Sequence, residues 1–129
     1  MRVDGWEKIL NKEIMETPPF EWGTNDCCMF AVRVMEAISG IDHGKPYRGY
    51  KTAKGAASRL LKNGGVEGIA TKQLGECKNP KLAKRGDLVS FKSLDDLALG
   101  ICIGDKIAAV SETGLLLVPM QEAINAWSV

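Results

Sequence analysis

The chain has 129 residues, of which 45% are hydrophobic and 26% are charged, and its formal net charge is +1. This length predicts one domain, over residues 1–129, that buries a core without disulfides or metal. The near-zero charge argues against nucleic acid and anionic membranes as partners. No apolar run approaches the roughly 20 residues that span a bilayer, and no signal peptide opens the chain. We therefore expect a cytoplasmic protein.

The first predicted helix carries apolar residues at helical spacing from Val3 to Ile14, and Thr17-Pro18-Pro19 ends it. A second helix is predicted from about Asn25 to Ile38, with Thr24 as its N-cap and Gly40 as its end. Because this second helix is apolar nearly all round, we expect it to be the buried centre of the fold.

Two shorter helices are predicted next, one capped by Thr52 and ended by Gly64-Gly65, the other over Val66–Leu74. From Gly86 onward the pattern changes to short apolar runs with Gly and Asp between them, which is typical of strands. These predicted strands are Asp87–Phe91, Ala98–Ile103, Lys106–Val110 and Leu115–Val118, followed by a closing helix over Gln121–Trp127. Helices followed by consecutive strands predict an α+β fold with an antiparallel sheet.

The four cysteines lack the spacing of a zinc site or of a secreted disulfide framework. We expect free thiols, no metal and no cofactor. Cys27 stands out because it lies in the first turn of the central helix, where backbone amides and the helix dipole stabilise a thiolate. A carboxylate at Asp26 would oppose this effect. The alternative interpretation is that Cys27, like Cys28, is a thiol packed in the core.

The order of three motifs resembles the NlpC-type branch of papain-like cysteine peptidases, which cleave bacterial cell-wall peptides. These motifs are Asp26-Cys27 opening a helix, Arg85–Phe91, and a strand ending in Gly100–Asp105. The resemblance implies a papain-like core with Cys27 at the position of the nucleophile. It also places the base histidine where this chain has Ala98, and a third polar group near the apolar Ala109 or Val110. A thiol needs an oriented base to act as a nucleophile, so the resemblance implies an incomplete triad.

A further resemblance, to small phage and prophage proteins related to that branch and often encoded among tail genes, covers nearly the whole chain. The matching segments are Phe20–Gly23 before Asp26-Cys27, Arg48–Tyr50, Arg85–Asp87, Ala98–Gly104, and Gly114-Leu115 leading to Ala126-Trp127. The resemblance implies phage tail proteins or a cell-wall peptide as partners, and association with the virion as an alternative to the cytoplasm.

His43 is the single histidine, sixteen residues after Cys27. A helix of that length separates its ends by about 20 Å, so the loop would have to fold back for His43 to act as a base. A solvated loop histidine is the simpler interpretation. Arg48 and Tyr50, in a glycine-containing loop, either line a cleft beside Cys27 or anchor the loop.

Two other residues complete the predicted site. Trp22 is assigned to the core or the rim of the cleft, and Asp87 to a turn in which its carboxylate bonds backbone amides. We predict first a catalytically impaired relative of the NlpC-type enzymes. The alternatives are an active cysteine peptidase or amidase with an unusual base, and a non-enzymatic module that binds a peptide or protein in the former catalytic cleft.

Overall fold

The computed structural model describes residues 2–94 and 96–129 and consists of helices followed by strands. The helices are α1 (Trp6–Met15), α2 (Cys27–Ser39), α3 (Ala53–Lys62) and α4 (Gly65–Leu74). The strands are β1 (Leu88–Ser93), β2 (Asp96–Cys102), β3 (Lys106–Ser111), β4 (Gly114–Pro119) and β5 (Ala123–Trp127). Short 3-10 helices lie at Lys45–Tyr47, Pro80–Leu82 and Met120–Glu122. The predicted α+β class is confirmed.

All five strands form one antiparallel sheet in the order β4-β3-β2-β1-β5. Helix α2 packs across β2 and β3, with α1 against its other side. The fully buried Phe30, Val34 and Ile38 of α2 explain this central position, because a helix without a wide polar face must be covered on several sides.

The core has two parts because side chains of a strand alternate between the two faces of a sheet. Leu99 and Ile101 of β2 belong to the larger cluster, which includes the buried residues of α1, α2 and α4. Their neighbours Ala98 and Cys102 belong to a smaller cluster on the opposite face. Cys27 at the start of α2 packs against this smaller cluster, so it lies where the helix layer meets the sheet.

The N-cap of α2 is Asp26, and the prediction of Thr24 as the cap is wrong. The Asp26 carboxylate accepts a hydrogen bond from the Met29 amide at 2.9 Å, and its backbone is extended (φ −89°, ψ −175°). The amides of Thr24 and Asn25 both donate to the Glu21 carbonyl. This tight turn uses Thr24, so the helix begins two residues later than predicted.

Most of the segment Gln121–Trp127 is a strand, and the prediction of a closing helix is wrong. After the 3-10 turn at Met120–Glu122 the chain forms β5, which pairs with β1 in the register Leu88↔Trp127 and Val89↔Ala126. The free edge of β1 supplies backbone partners that a short helix could not match, and tertiary pairing overrides local preference. The side chain of Trp127 is buried and donates to Thr71 Oγ1 at 3.2 Å.

The other predicted elements are found with ends shifted by at most three residues. Thr52 caps α3 by accepting from the Gly55 amide at 3.0 Å, and Gly75 follows the end of α4 as predicted. Among the helices of the described segments, none has the length and hydrophobicity needed to cross a bilayer.

Candidate functional site

The start of α2 is organised around the buried carboxylate of Asp26, which is 2% exposed. It accepts hydrogen bonds from the amides of Gly23 and Met29, both at 2.9 Å, and from the hydroxyl of Tyr50. Gly23 has φ +87°, and a Cβ there would lie 2.0 Å from the Tyr50 carbonyl oxygen. The Trp-Gly turn therefore allows the loop that carries Tyr50 to lie directly on the start of the helix.

Cys27 and Cys28 are the first two residues of α2, and their sulfur atoms lie 3.9 Å apart. Both thiols are free and partly exposed. The Cys28 thiol, acting as hydrogen-bond donor, lowers the pKa of Cys27 more than burial raises it, and a bond from the Leu99 backbone adds to this effect. The nearby Asp26 carboxylate acts in the opposite direction. The pKa of Cys28 is raised well above its ordinary value because it is the donor of this pair and is buried.

A groove of about 1060 Å³ lies between α3 and the sheet, with Cys27 in its wall. Trp22, Ala56 and Leu60 form its helical side, and Phe91 and Ala98 belong to its sheet side. The residues on both sides are mainly apolar, so the groove is suited to a ligand with apolar groups.

The positions that the resemblance assigns to a base and its orienting group are apolar in this chain, and they lie near Cys27. Ala98 and Ala109 belong to the cluster against which Cys27 packs, and both line the groove, as does Val110. Within residues 2–94 and 96–129, the one side-chain hydrogen-bond partner of the Cys27 sulfur is Cys28. The structure brings Cys27, Ala98 and Ala109 together without a proton acceptor at either alanine.

His43 lies in a loop that folds back along α2. Gly44 packs so closely on Val32 that an added Cβ would lie 2.6 Å from a Val32 methyl, and Arg48 Nη1 lies 3.7 Å from the sulfur of Met29. His43 is half-buried and lines a small cavity that Cys27 and Cys28 also line. No hydrogen bond joins its ring to either thiol in the described part of the chain.

Tyr50 and Arg48 have different positions. The side chain of Tyr50 is buried in the wall of the same small cavity. Its pKa is raised, first by burial and then by its hydrogen bond to Asp26. The exposed Arg48 pairs with Asp42 at 2.8 Å and lowers the pKa of that carboxyl. Arg48 thus anchors the loop outside both the cavity and the groove.

Of the two remaining predicted residues, only Trp22 is at the site. Its ring packs edge-on against that of Phe20, with the ring centroids 4.9 Å apart. Trp22 lines both the groove and the cavity. Asp87 lies elsewhere, bonded to Arg2 at 2.9 Å and to Lys78 at 2.8 Å. It also accepts from the amides of Lys84 and Val129, so it bonds backbone amides as predicted.

One polar group in the groove wall was not predicted from the sequence. Glu67, in the first turn of α4, accepts from Ser90 Oγ at 2.7 Å and from Asn125 Nδ2 at 2.8 Å. Ser90 is fully buried within an apolar strand, which is a signal that it has a polar partner. The contribution of Asn125 could not be predicted, because this residue belongs to the segment predicted as a helix.

The small cavity has a volume of about 80 Å³ and lies between α2, the helices α3 and α4, and the sheet. Its wall includes Met29, Met35, Ile69, Leu74 and Leu99. In the described segments, no group of three or more His, Cys, Asp or Glu side chains could hold a metal ion.

The site thus belongs to an α+β domain in which a buried helix, with a thiol in its first turn, packs on an antiparallel sheet. The model of a family described as "Domain of unknown function (DUF6950)" matches residues 1–129, and the chain belongs to that family. No curated protein matches the chain.

Proposed function

We propose that this protein is a catalytically impaired relative of the NlpC-type papain-like peptidases and uses its groove for binding. The surroundings of Cys27 carry this proposal. The thiol lies in the first turn of a buried helix and has a lowered pKa, and the residues packed beside it include the apolar Ala98 and Ala109. A thiolate without an oriented base and acid cannot transfer protons to and from a scissile amide.

The same motifs support a role in a bacteriophage or prophage. The tail-gene resemblance rests on five segments in one order, from Phe20–Gly23 to Ala126-Trp127. Within this proposal the protein is made in the cytoplasm and acts in tail assembly or as a tail-associated component. Its partners would be phage tail proteins or a cell-wall peptide.

A non-enzymatic binding module is the form of this proposal that the groove favours. Its volume of about 1060 Å³ lies slightly above the range of roughly 300–1,000 Å³ for ordinary ligand pockets. Its mainly apolar wall carries the Glu67 carboxylate as an oriented polar group. Tyr50 lines the small cavity, whereas Arg48 lines neither the cavity nor the groove.

One observation favours a second candidate, an active cysteine peptidase or amidase. His43 lines the same cavity as Cys27 and Cys28, so the imidazole and the two thiols border one common space. In this candidate, His43 would be the unusual base.

Purified protein incubated with peptidoglycan fragments separates the two candidates. For the impaired relative we expect no cleavage by mass spectrometry, and the same null result for Cys27→Ala and His43→Ala. Cleavage that both substitutions abolish would establish the active enzyme. The Cys77→Ala variant is the matched control, because Cys77 is an exposed thiol that lines neither the groove nor the cavity.

A further inference from the structure

A cavity of about 80 Å³ lies behind the thiols, within the core. Protein interiors are close-packed, with few voids larger than a water molecule. The wall of this cavity is almost entirely apolar, so it offers water too few hydrogen-bond partners to hold it there. The space is thus suited to an apolar group.

The cavity adjoins the groove. Four residues, Trp22, Cys27, Ala56 and Leu60, line both spaces. The two spaces therefore share part of their wall, and Cys27 belongs to that shared part. Ala56 contributes only a methyl group to it, and Cys27 is partly exposed.

We infer that the cavity is a specificity pocket that receives one branched aliphatic side chain, of the size found in valine or leucine, from a peptide lying in the groove. This inference rests on the proposed binding function of the groove. It adds the chemical class of the ligand and the point at which the ligand enters the core.

The size of the cavity sets the class of group. A cavity of about 150 Å³ holds a benzene molecule, so about 80 Å³ corresponds to roughly three or four carbon atoms on the same scale. An isopropyl or isobutyl group fits this number, whereas a lipid chain does not. A polar side chain is excluded because it would lose its hydrogen bonds to water without replacement.

The groove offers a partner for the backbone of such a peptide. Both protein donors to Glu67, from Ser90 and Asn125, bond the same carboxylate oxygen, Oε2. Among the described residues no donor bonds Oε1, which is therefore available to a backbone N–H of a ligand. Charge-assisted hydrogen bonds of this kind are stronger than neutral ones.

Alkyl methanethiosulfonates test the pocket directly. The Cys27 thiolate attacks the sulfenyl sulfur, a new S–S bond forms, and methanesulfinate leaves with the electron pair of the bond that breaks. Rates for methyl, isobutyl and octyl reagents are measured at each cysteine by mass spectrometry of peptides. The exposed Cys77 is the reference within each sample.

We expect the isobutyl reagent to modify Cys27 at least about tenfold faster than the methyl reagent, after division by the rates at Cys77. Equal normalised rates, or no modification of Cys27, would overturn the pocket. A faster reaction with the octyl reagent than with isobutyl would also overturn it, because it would indicate a site for a lipid chain.

A substitution that fills the cavity provides a second test of the pocket. Ala70 of α4 lines the cavity and is 2% exposed, so Ala70→Leu should abolish the isobutyl preference while the normalised methyl rate stays within about twofold. Ala37→Leu is the control, since Ala37 lies on α2 outside the cavity wall. Should Ala70→Leu fail to fold by circular dichroism, Ala56→Leu replaces it. A preference that survives filling would refute the assignment.

The two proposals can fail separately. Cleavage of peptidoglycan fragments that depends on Cys27 overturns the impaired-enzyme proposal, whichever reagent reacts faster. Absence of an isobutyl preference at Cys27 in the unsubstituted protein overturns the pocket, even when no cleavage is detected.

Discussion

Two buried carboxylates of this protein are held in opposite ways. Asp26 and Asp87 are each 2% exposed. Asp87 bonds two cations, Arg2 and Lys78, as well as backbone amides. Asp26 accepts three hydrogen bonds, all from uncharged donors: two amides and the Tyr50 hydroxyl.

Asp87 anchors separate chain segments, whereas Asp26 determines the surroundings of the Cys27 thiol. A buried charge is tolerated when it is paired or fully hydrogen-bonded. At Asp87 the ion pairs join Arg2 to Lys78 in the segment before β1, and the Val129 amide adds the residues after β5. At Asp26, in the described part of the chain, no cation lies within ion-pair distance, and the carboxylate makes the Cys27 thiolate less favourable. The hydrogen bonds of Asp26 thus hold the loop of Tyr50 on the start of α2.

The largest expected effect is the loss of the Asp87 ion pairs. We expect Asp87→Ala to lower the free energy of unfolding by about 3–5 kcal/mol, because two partly buried cations lose their partner. Urea denaturation measures this change. The control is Asp42→Ala, which breaks the surface pair with Arg48 and should cost less than about 1 kcal/mol. Equal losses in the two variants would contradict the anchoring role.

The turn around Asp26 should be nearly as sensitive. Gly23→Ala places a Cβ 2.0 Å from the Tyr50 carbonyl oxygen at a φ of +87°, so we expect a loss of about 3 kcal/mol or more. Gly40→Ala is the matched control, with φ +78° and no atom within 4 Å of the added Cβ. It should cost only the left-handed backbone term, about 1–2 kcal/mol. Thermal and urea unfolding measure the free energy of unfolding of both variants. Equal losses would contradict the contact between the Tyr50 loop and the start of α2.

The smallest expected effect concerns the thiols. Cys28→Ala removes the hydrogen-bond donor of the Cys27 thiolate, so the pKa of Cys27 should rise. Its reaction with iodoacetamide at neutral pH should then slow several-fold, because the thiolate is the nucleophile. The pH–rate profile measures this shift, with Cys102→Ala as the control at a buried thiol that bonds the Gly104 carbonyl. A profile that stays in place, or moves to lower pH, would refute the role of Cys28.

Much of the fold could be predicted from the sequence because its stop signals are strong. Thr17-Pro18-Pro19, Gly40 and Gly75 mark helix ends that the structure contains. The two wrong predictions concern residues whose secondary structure is determined by contacts with other parts of the chain. Trp127 is in a strand because β1 has a free edge, and Thr24 is not a cap because Glu21 holds it in a turn.

The candidate site was predictable only in part. The place of Cys27 at a helix start follows from local sequence. The contact between Asp26 and Tyr50 does not, because it depends on the path of a loop 24 residues further along the chain. The return of His43 toward α2 and the joining of Glu67, Ser90 and Asn125 depend on packing of separate elements, and spacing in the sequence carries no record of it.

The contact of Gly23 with the loop at Tyr50 has a dynamic consequence. The amides of Gly23 and Met29 both donate to Asp26, and Tyr50 holds the same carboxylate. These groups are therefore expected to open in one cooperative fluctuation, with equal free energies of amide hydrogen exchange. Access to the space behind the thiols would then be governed by a single local unfolding event.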